Sequence, residues 1–260
     1  MSDPADIVIS VRNLAVGYGG NAVLHNINFE VQGGEVFVIL GGSGSGKSTL
    51  LKNLIGLCTP IEGQIWIEGI NLATAEGEER RDLLRKFGIA YQSGALFGSM
   101  TVLENVRLPM DELTAMPEPL KELTALSILK LVGLGASAQK MPAELSGGMQ
   151  KRAAIARAMA LSPRILFLDE PSAGLDPVTA ADLDLLIKEV ARRFGMTFVV
   201  VSHDLASIYT IADRVIMLDS HTKTIAVEGR PADLRDTATD PHVRRFFRRE
   251  PDADASSLHL

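Results

Sequence analysis

A single cysteine, Cys58, stands among 260 residues, so no intramolecular disulfide can form and a reducing compartment is expected. Long hydrophobic runs are missing too. No uninterrupted apolar stretch reaches the roughly 18 residues that span a bilayer, and the chain is expected to be soluble by itself. The first residues, Met1 to Asp6, are acidic and polar where a secretory leader is basic and then apolar, so no cleavable signal is expected. Positive charge is not in excess: 26 Lys and Arg face 32 Asp and Glu, a net charge of −6, which argues against nucleic acid as a bulk electrostatic partner. The sequence shows no internal repeat and no low-complexity segment. What is present, 46% hydrophobic and 22% charged residues, is a globular composition long enough for one large α/β domain or two small ones.

One stretch organises the rest. The apolar segment 36–40 runs into Gly41-Gly42-Ser43-Gly44-Ser45-Gly46-Lys47-Ser48 and then into the helix-forming Thr49-Leu50-Leu51. This is G-x-x-x-x-G-K-[ST] between a predicted strand and a predicted helix, a phosphate cradle. Backbone N–H groups wrap a polyphosphate only where no Cβ blocks them, which is the use of the glycines. The helix start adds unpaired N–H groups, Lys47 a full charge for the outer phosphates, and Ser48 a hydroxyl for Mg²⁺.

Upstream, 7–11 and 23–31 alternate apolar and polar residues as half-buried antiparallel strands do, with Tyr18 on a predicted loop between them. An aromatic there can stack on a base or serve as an ordinary turn residue. Residues 63–69 read as a strand, 76–86 as a solvated helix, and 87–92 as an apolar run ending in Gln92. Residues 93–117 lack clear periodicity and display Leu96, Phe97 and Met100, the pattern of a mobile functional segment. From Leu120 the apolar residues Leu123, Leu126, Leu129 and Val132 recur at helical spacing, and most of that face is expected in the core. Ser146-Gly147-Gly148 opens another helix and leaves a second set of amides suited to an anion.

Ile165 to Leu168 is a continuous apolar run closed by Asp169 and Glu170, a central parallel strand whose C-terminal end faces a ligand. Adjacent strand residues point oppositely, so the two carboxylates either divide the work between a metal contact and a general base or form a capping pair at the strand end. Asp176-Pro177 caps a helix with the stripe Leu183, Leu186, Ile187, Val190 and Phe194. A further apolar run ends at His203, again at a strand end, either a site residue or a satisfied core histidine. Residues 214–219 and 224–228 read as a hairpin, 231–236 as a short helix. The segment His242 to Arg249, with Arg244, Arg245, Arg248 and Arg249 around Phe246 and Phe247, is expected to leave the compact domain and to dock on a neighbour, reach anionic lipid or stay solvated.

Over residues 7–230 these motifs, in this order, resemble the ATP-binding subunit of an ABC transporter. The resemblance implies an α/β P-loop NTPase cassette with a mixed sheet core, an N-terminal antiparallel β subdomain and a helical subdomain. It implies a domain over 1–237, with the helical part inserted at about 93–160, and a C-terminal tail over 238–260. Tyr18 would stack on adenine, and Gly41, Gly42, Ser43, Gly44, Ser45, Gly46, Lys47, Ser48 and Thr49 would hold the phosphates of ATP. Ser48, Gln92 and Asp169 would hold Mg²⁺, the last through water, Glu170 would polarise the attacking water, and His203 would contact the γ-phosphate. Leu145-Ser146-Gly147-Gly148 matches the family signature, with Met149 where the family usually carries Gln and Gln150 one place later. The segment 172–176 would report across a head-to-tail homodimer, in which Ser146, Gly147 and Gly148 complete the partner's site.

Finer likeness lies in 91–97, the Met-containing signature, and 240–246, which are similar to the ATPase of the Mla-type systems that move phospholipids between Gram-negative membranes. That implies an integral membrane permease, a periplasmic lipid-binding component, a small accessory subunit, no nucleic acid, and a peripheral place on the cytoplasmic face of the inner membrane. The alternatives are a transport ATPase for another cargo, such as an amino acid or metal, and a non-transport cassette of DNA repair or translation.

Overall fold

The computed structural model describes residues 6–249. Strands β1 (Ile7–Tyr18) and β2 (Asn21–Gln32) pair antiparallel, and β4 (Glu62–Ile67) and β5 (Ile70–Asn71) extend them into a sheet of order β2-β1-β4-β5. A second sheet contains β3 (Val36–Gly41), β6 (Phe87–Ala90), β7 (Ile165–Asp169), β8 (Thr197–Val201), β9 (Arg214–Asp219) and β10 (Thr224–Gly229), in the order β10-β9-β3-β8-β7-β6. Every pairing from β9 to β6 is parallel; β10 alone runs antiparallel, beside β9.

The parallel strands are apolar on both faces because both are covered. Val36, Val38 and Leu40 of β3, Leu166 and Leu168 of β7, and Phe198 and Val200 of β8 join one core. Their alternates Phe37, Ile39, Ile165, Phe167, Val199 and Val201 join another, shared with the antiparallel sheet and with α1 (Lys47–Leu54). This period of two explains why the strands read as unbroken hydrophobic runs. One corner of the two sheets is tied by Arg214, which donates to Glu35 Oε1 at 2.6 Å and to the Glu30 carbonyl, pairs with Glu228, and lies 5.0 Å from the Phe37 ring centre.

Helix α2 (Gly77–Arg85) is mostly polar, with Leu83 buried and Leu84 exposed. Between β6 and β7 the chain forms α3 (Val102–Leu113), α4 (Glu118–Leu131) and α5 (Gly147–Ala158). After β7 come α6 (Pro177–Phe194), α7 (Leu205–Ile211), α8 (Pro231–Thr237) and α9 (Pro241–Arg248). Among the described residues no helix is long and apolar enough to cross a membrane.

Several expectations change here. Residues 93–117 are not a structureless segment. Thr101 Oγ1 accepts from the Glu104 amide at 3.2 Å and Glu104 Oε2 from the Thr101 amide at 2.7 Å, a capping box that starts α3 despite Pro109 inside it. The buried Asn105 orders the loop before the helix: its Oδ1 accepts from the Phe97 amide, and its Nδ2 donates to the carbonyls of Phe97, Met100 and Thr101.

On α4 the inward row is Lys121, Ala125, Leu129 and then Val132, whereas Leu120 and Leu123 are 48% and 62% exposed. Small Ala125 faces the core, and Lys121 enters an ion cluster, 3.2 Å from Asp111 and 3.0 Å from Glu118, with Arg107 bridging the same two carboxylates. Phe194, at the end of its stripe, is half exposed. Tyr18 closes β1, paired with Asn21, so it is a strand end where a loop was expected. Residues 241–248 do not leave the body. Val243 and Phe247 are buried in the main core, and Tyr209 donates its hydroxyl proton to the Phe247 carbonyl at 2.9 Å.

The approach of β6 to α5 gives a test. A Cβ on Gly88 would lie 1.9 Å from the Ala158 carbonyl oxygen, whereas one on Gly98 would meet nothing within 4 Å. Gly88→Ala should therefore cost about 3 kcal/mol of stability or prevent folding, and Gly98→Ala should stay within about 0.5 kcal/mol. Denaturant unfolding of both variants checks this; an unchanged midpoint for Gly88→Ala would mean that strand and helix sit farther apart.

Candidate active site

The loop between β3 and α1 is shaped by two close approaches. A Cβ on Gly41 would fall 2.4 Å from Ser45 Oγ, and one on Gly46, whose φ is 95°, would fall 2.8 Å from Leu24 Cγ. Leu24 belongs to β2, so the antiparallel sheet presses the loop into place. Gly46 caps α1 without a side-chain hydrogen bond, which leaves the first-turn amides of α1 free to meet an anion. Lys47 lies folded across this loop, its Nζ donating to the carbonyls of Gly41 at 2.8 Å and Gly42 at 2.9 Å. Burial lowers its pKa, against the pull of the Glu170 and Asp169 carboxylates. Gly42, Ser43, Gly44 and Ser48 are exposed along the rim, while Ser45 and Thr49 turn inward.

Asp169 is the last residue of β7. Burial first, and the neighbouring Glu170 second, push its pKa up, opposed by Lys151, Lys52 and Lys47. Its Oδ1 is buried with no hydrogen-bond partner among the described residues. A buried carboxylate oxygen without a donor fits a cation or a cation-bound water beside it. The described residues hold no cluster of three or more His, Cys, Asp or Glu able to cage a metal. A donor set of one carboxylate, the Ser48 hydroxyl and the Gln92 amide instead suits Mg²⁺, which keeps several waters and relies on substrate phosphates.

Glu170 follows in the left-handed region at φ 47°, held by its amide, which donates to the Val201 carbonyl at 2.9 Å. Its Oε1 lies 2.7 Å from His203 Nδ1; the glutamate side chain is 13% exposed and the histidine 65%. Gln92 and Asp169 border one open cleft with Ala173 and Gly174. The carboxylates that end β7 thus stand within electrostatic reach of Lys47, with the His203 imidazole hydrogen-bonded to one of them and Gln92 beside the other. Tyr18 stands at the tip of the β1–β2 hairpin, 52% exposed.

Ser146 caps α5, its Oγ accepting from the Met149 amide at 3.3 Å, and Ser146 and Gly147 are exposed. A Cβ on Gly148 would meet Thr179 Cγ2 at 2.4 Å, so glycine there lets α5 and α6 approach. Gln150 turns back to the carbonyls of Pro142 and Leu145, so it does not substitute for the glutamine absent at position 149. Asp176 caps α6, accepting from the amides of Val178 and Thr179, and Ser172 Oγ lies 3.3 Å from Ser207 Oγ.

Sequence reasoning missed two cations of α5. Arg157 donates to the carbonyls of Gly94 and Ala95, and Lys151 to those of Gln92 and Glu170. The available signal was a helix otherwise lined with small buried residues, Ala153, Ala154, Ala156 and Ala158, which brings its flanking cations close to neighbouring backbone.

Because folding raises the Asp169 pKa, its unpaired charge costs stability once ionised. That loss is absent below the unfolded-state carboxylate pKa and grows as pH rises through the folded one. Asp169→Asn should therefore unfold at higher temperature than wild type near neutral pH in the absence of nucleotide, with the gap closing toward acidic pH. A gap independent of pH from 3 to 8 would show that Asp169 ionises as freely folded as unfolded.

The family model described as ABC transporter matches residues 24–173. Among curated proteins, the chain is 38% identical over 240 residues to the intermembrane phospholipid transport ATP-binding protein MlaF of Escherichia coli K12, spanning 92% of this chain and 88% of that one. It is also 38% identical over 244 residues to the probable ribonucleotide transport ATP-binding protein mkl of Mycobacterium leprae, spanning 94% of this chain and 70% of that one. Two solved structures share the fold. One is cbiO1 of Clostridium perfringens, part of the ABC transporter complex cbiONQ, with TM-score 0.80, 29% identity and coverage of 88% and 90%. The other is the ATP-binding cassette MJ0796 in a dimeric post-hydrolysis state bound to ADP and Pi, with TM-score 0.76, 33% identity and coverage of 85% and 98%. The matched span includes the phosphate loop, the Ser146 helix and both carboxylates, so the site and the likeness are one finding, and the chain belongs to the ABC transporter family as an ATP-hydrolysing cassette.

Proposed function

We propose that this cassette powers phospholipid movement between bacterial membranes through a separate integral membrane permease, acting as a head-to-tail homodimer on the cytoplasmic face of the inner membrane. The observation that carries the cargo is the 38% identity to MlaF across 92% of the chain. The same identity to a relative named for ribonucleotide transport keeps a different cargo as the second reading.

In the proposed reaction Lys47 exchanges its two loop carbonyls for the outer phosphates of ATP, and the first amides of α1 and the glycine loop take the remaining oxygens. Tyr18 stacks on the adenine. Ser48, Gln92 and, through water, Asp169 hold Mg²⁺, which when bound neutralises charge on the phosphate oxygens. Glu170 orients and polarises a water for in-line attack on the γ-phosphorus: the new P–O bond forms as the bond to the β-phosphate oxygen breaks. His203, fixed by Glu170, contacts the γ-phosphate. Ser146, Gly147 and Gly148 of a second copy close the site.

A permease needs a surface, and a candidate lies beside the helical region. Leu57, Leu84, Pro109 and Leu113 line a groove flanking β6, next to the half-exposed Phe97 over which Arg157 sits at 6.0 Å. Exposed apolar residues grouped this way suit a helix of a membrane partner.

Glu170→Gln should bind ATP at near wild-type affinity while hydrolysing it at least about a hundredfold more slowly, and Lys47→Ala should lose ATP binding; fluorescent-nucleotide titration and phosphate release measure both. Turnover near the wild-type rate in Glu170→Gln would remove Glu170 from its role. For the cargo, the complex purified from native membranes should carry a periplasmic lipid-binding component and bound phospholipid. A binding component for a small polar solute would overturn the phospholipid assignment.

A further inference from the structure

Lys151 lies on α5, one turn beyond the exposed Ser146-Gly147 end, and its ammonium reaches the ends of two strands. Nζ donates to the main-chain carbonyl of Gln92, just past β6, and to that of Glu170, just past β7, at 3.3 Å. Burial lowers the pKa of this ammonium, against the pull of the Asp169 and Glu170 carboxylates. Such a cation is not a solvated lysine on a helix face.

Glu170 gives this contact its importance. At φ 47° it occupies a conformation that side-chain-bearing residues enter only when their surroundings hold them there. Three main-chain contacts hold it: its amide donates to the Val201 carbonyl at 2.9 Å, and its carbonyl accepts from the Ala173 amide at 3.1 Å and from Lys151. The first fixes Glu170 against β8, and the second closes the turn after β7. The third fixes it against α5, and through the same ammonium against Gln92. The helix is itself anchored by its buried face, Ala153, Ala154, Ile155 and Ala156, and by Arg157 on the carbonyls of Gly94 and Ala95. Lys151 therefore extends from a rigid base.

We propose that Lys151 is a positioning residue for hydrolysis: by clamping the carbonyls of Gln92 and Glu170 together it sets the spacing of their side chains around the attacking water. The inference rests on the proposed roles of Gln92 and Glu170. The contact is to backbone, so its loss shifts both side chains without removing either. Ångström-scale misplacement of a reacting group costs rate far more than it costs binding.

The test uses the full-length chain with Lys151→Met, which keeps length and apolar stem but removes the donors, and Lys151→Arg, which keeps a cation. The Met variant should lose about ten- to a hundredfold in kcat while the KM for ATP, the affinity for a fluorescent ATP analogue and the unfolding midpoint stay near wild type. The Arg variant should recover most of the rate. Wild-type kcat in Lys151→Met would overturn the proposal, as would a loss in which the unfolding midpoint falls in parallel and Arg gives no rescue, since that is the pattern of a purely structural lysine. Glu170→Gln assayed alongside separates the two layers. If it still abolishes turnover while Lys151→Met does not, only this inference fails; if it too hydrolyses normally, the reading beneath it fails.

Discussion

A parallel sheet covered on both faces admits polar side chains only where its strands stop, and the positions of Gln92, Asp169, Glu170 and His203 follow from that constraint. Along β3, β7 and β8 each side chain enters one of two cores, one under the helices and one under the antiparallel sheet. An interior polar residue would leave its hydrogen-bonding groups unsatisfied at a cost of a few kcal/mol. The parallel pairing then brings the C-terminal ends of these strands to the same edge, so Gly41, Gln92, Asp169, Glu170 and His203 are neighbours although Gly41 and His203 lie 162 positions apart in sequence. Ordering this edge requires no contact among the polar side chains themselves. The apolar registers, Val38 opposite Val200 and Phe167 opposite Val199, already fix it.

The helical region is attached to that edge by a different kind of contact. Arg157, Lys151 and Asn105 direct their donors to backbone carbonyls, those of Gly94 and Ala95, of Gln92 and Glu170, and of Phe97, Met100 and Thr101. Hydrogen bonds from the charged Arg157 and Lys151 are each worth roughly 1.5–3 kcal/mol net and those from the neutral Asn105 about 0.5–1.5, enough to order a loop yet small beside a hydrophobic core. The segment just after β6 is therefore held firmly but reversibly between the sheet and α5. It also lies next to the apolar groove around Leu84, Pro109 and Leu113. A partner seated in that groove would act on a loop whose other end is Gln92.

These two kinds of attachment also decide what the sequence reveals. Strand ends are legible because the switch from an apolar run to Gln92, Asp169 or His203 is local, and the glycines of the phosphate loop are legible because the close approach of Leu24 to Gly46 and of Ser45 to Gly41 forbids any side chain there. The order of 93–101 is not legible, since it comes from Asn105 and from Arg157, which is more than 60 positions from the carbonyls it binds. Helix α3 carried its signal in Thr101 and Glu104, but Pro109 obscured it. On α4 two rows compete, and hydrophobicity alone favours the leucines. The row containing Ala125 wins because a small residue permits close contact with the core and Lys121 finds Asp111 and Glu118, neither of which a periodicity of single residues expresses. The same holds for the C-terminal segment, whose arginines suggest solvent while Val243 and Phe247, four apart on α9, fill the core beside Tyr209.

The chain carries two sets of donors suited to an anion, one at the loop before α1 and one at the exposed start of α5. Lys47 spends its charge on two carbonyls of its own loop, and the amides at the start of α1 have no side-chain cap. Meanwhile Ser146 and Gly147 expose a second set of donors on α5, which Gly148 allows to lie close against α6. Exchanging neutral carbonyls for phosphate oxygens strengthens each Lys47 hydrogen bond, because an ionised acceptor roughly doubles its energy. In the proposed reaction this exchange favours nucleotide binding within one chain. Completing the coordination with the Ser146 end would require a second copy, and with identical halves the arrangement that satisfies both at once is a twofold, each chain giving its loop to one nucleotide and its α5 to the other. In that proposed assembly α5 carries, within two turns, the donors that meet the partner's nucleotide and the ammonium that holds this chain's own Gln92 and Glu170. Engagement of one site is then mechanically joined to the geometry of the other.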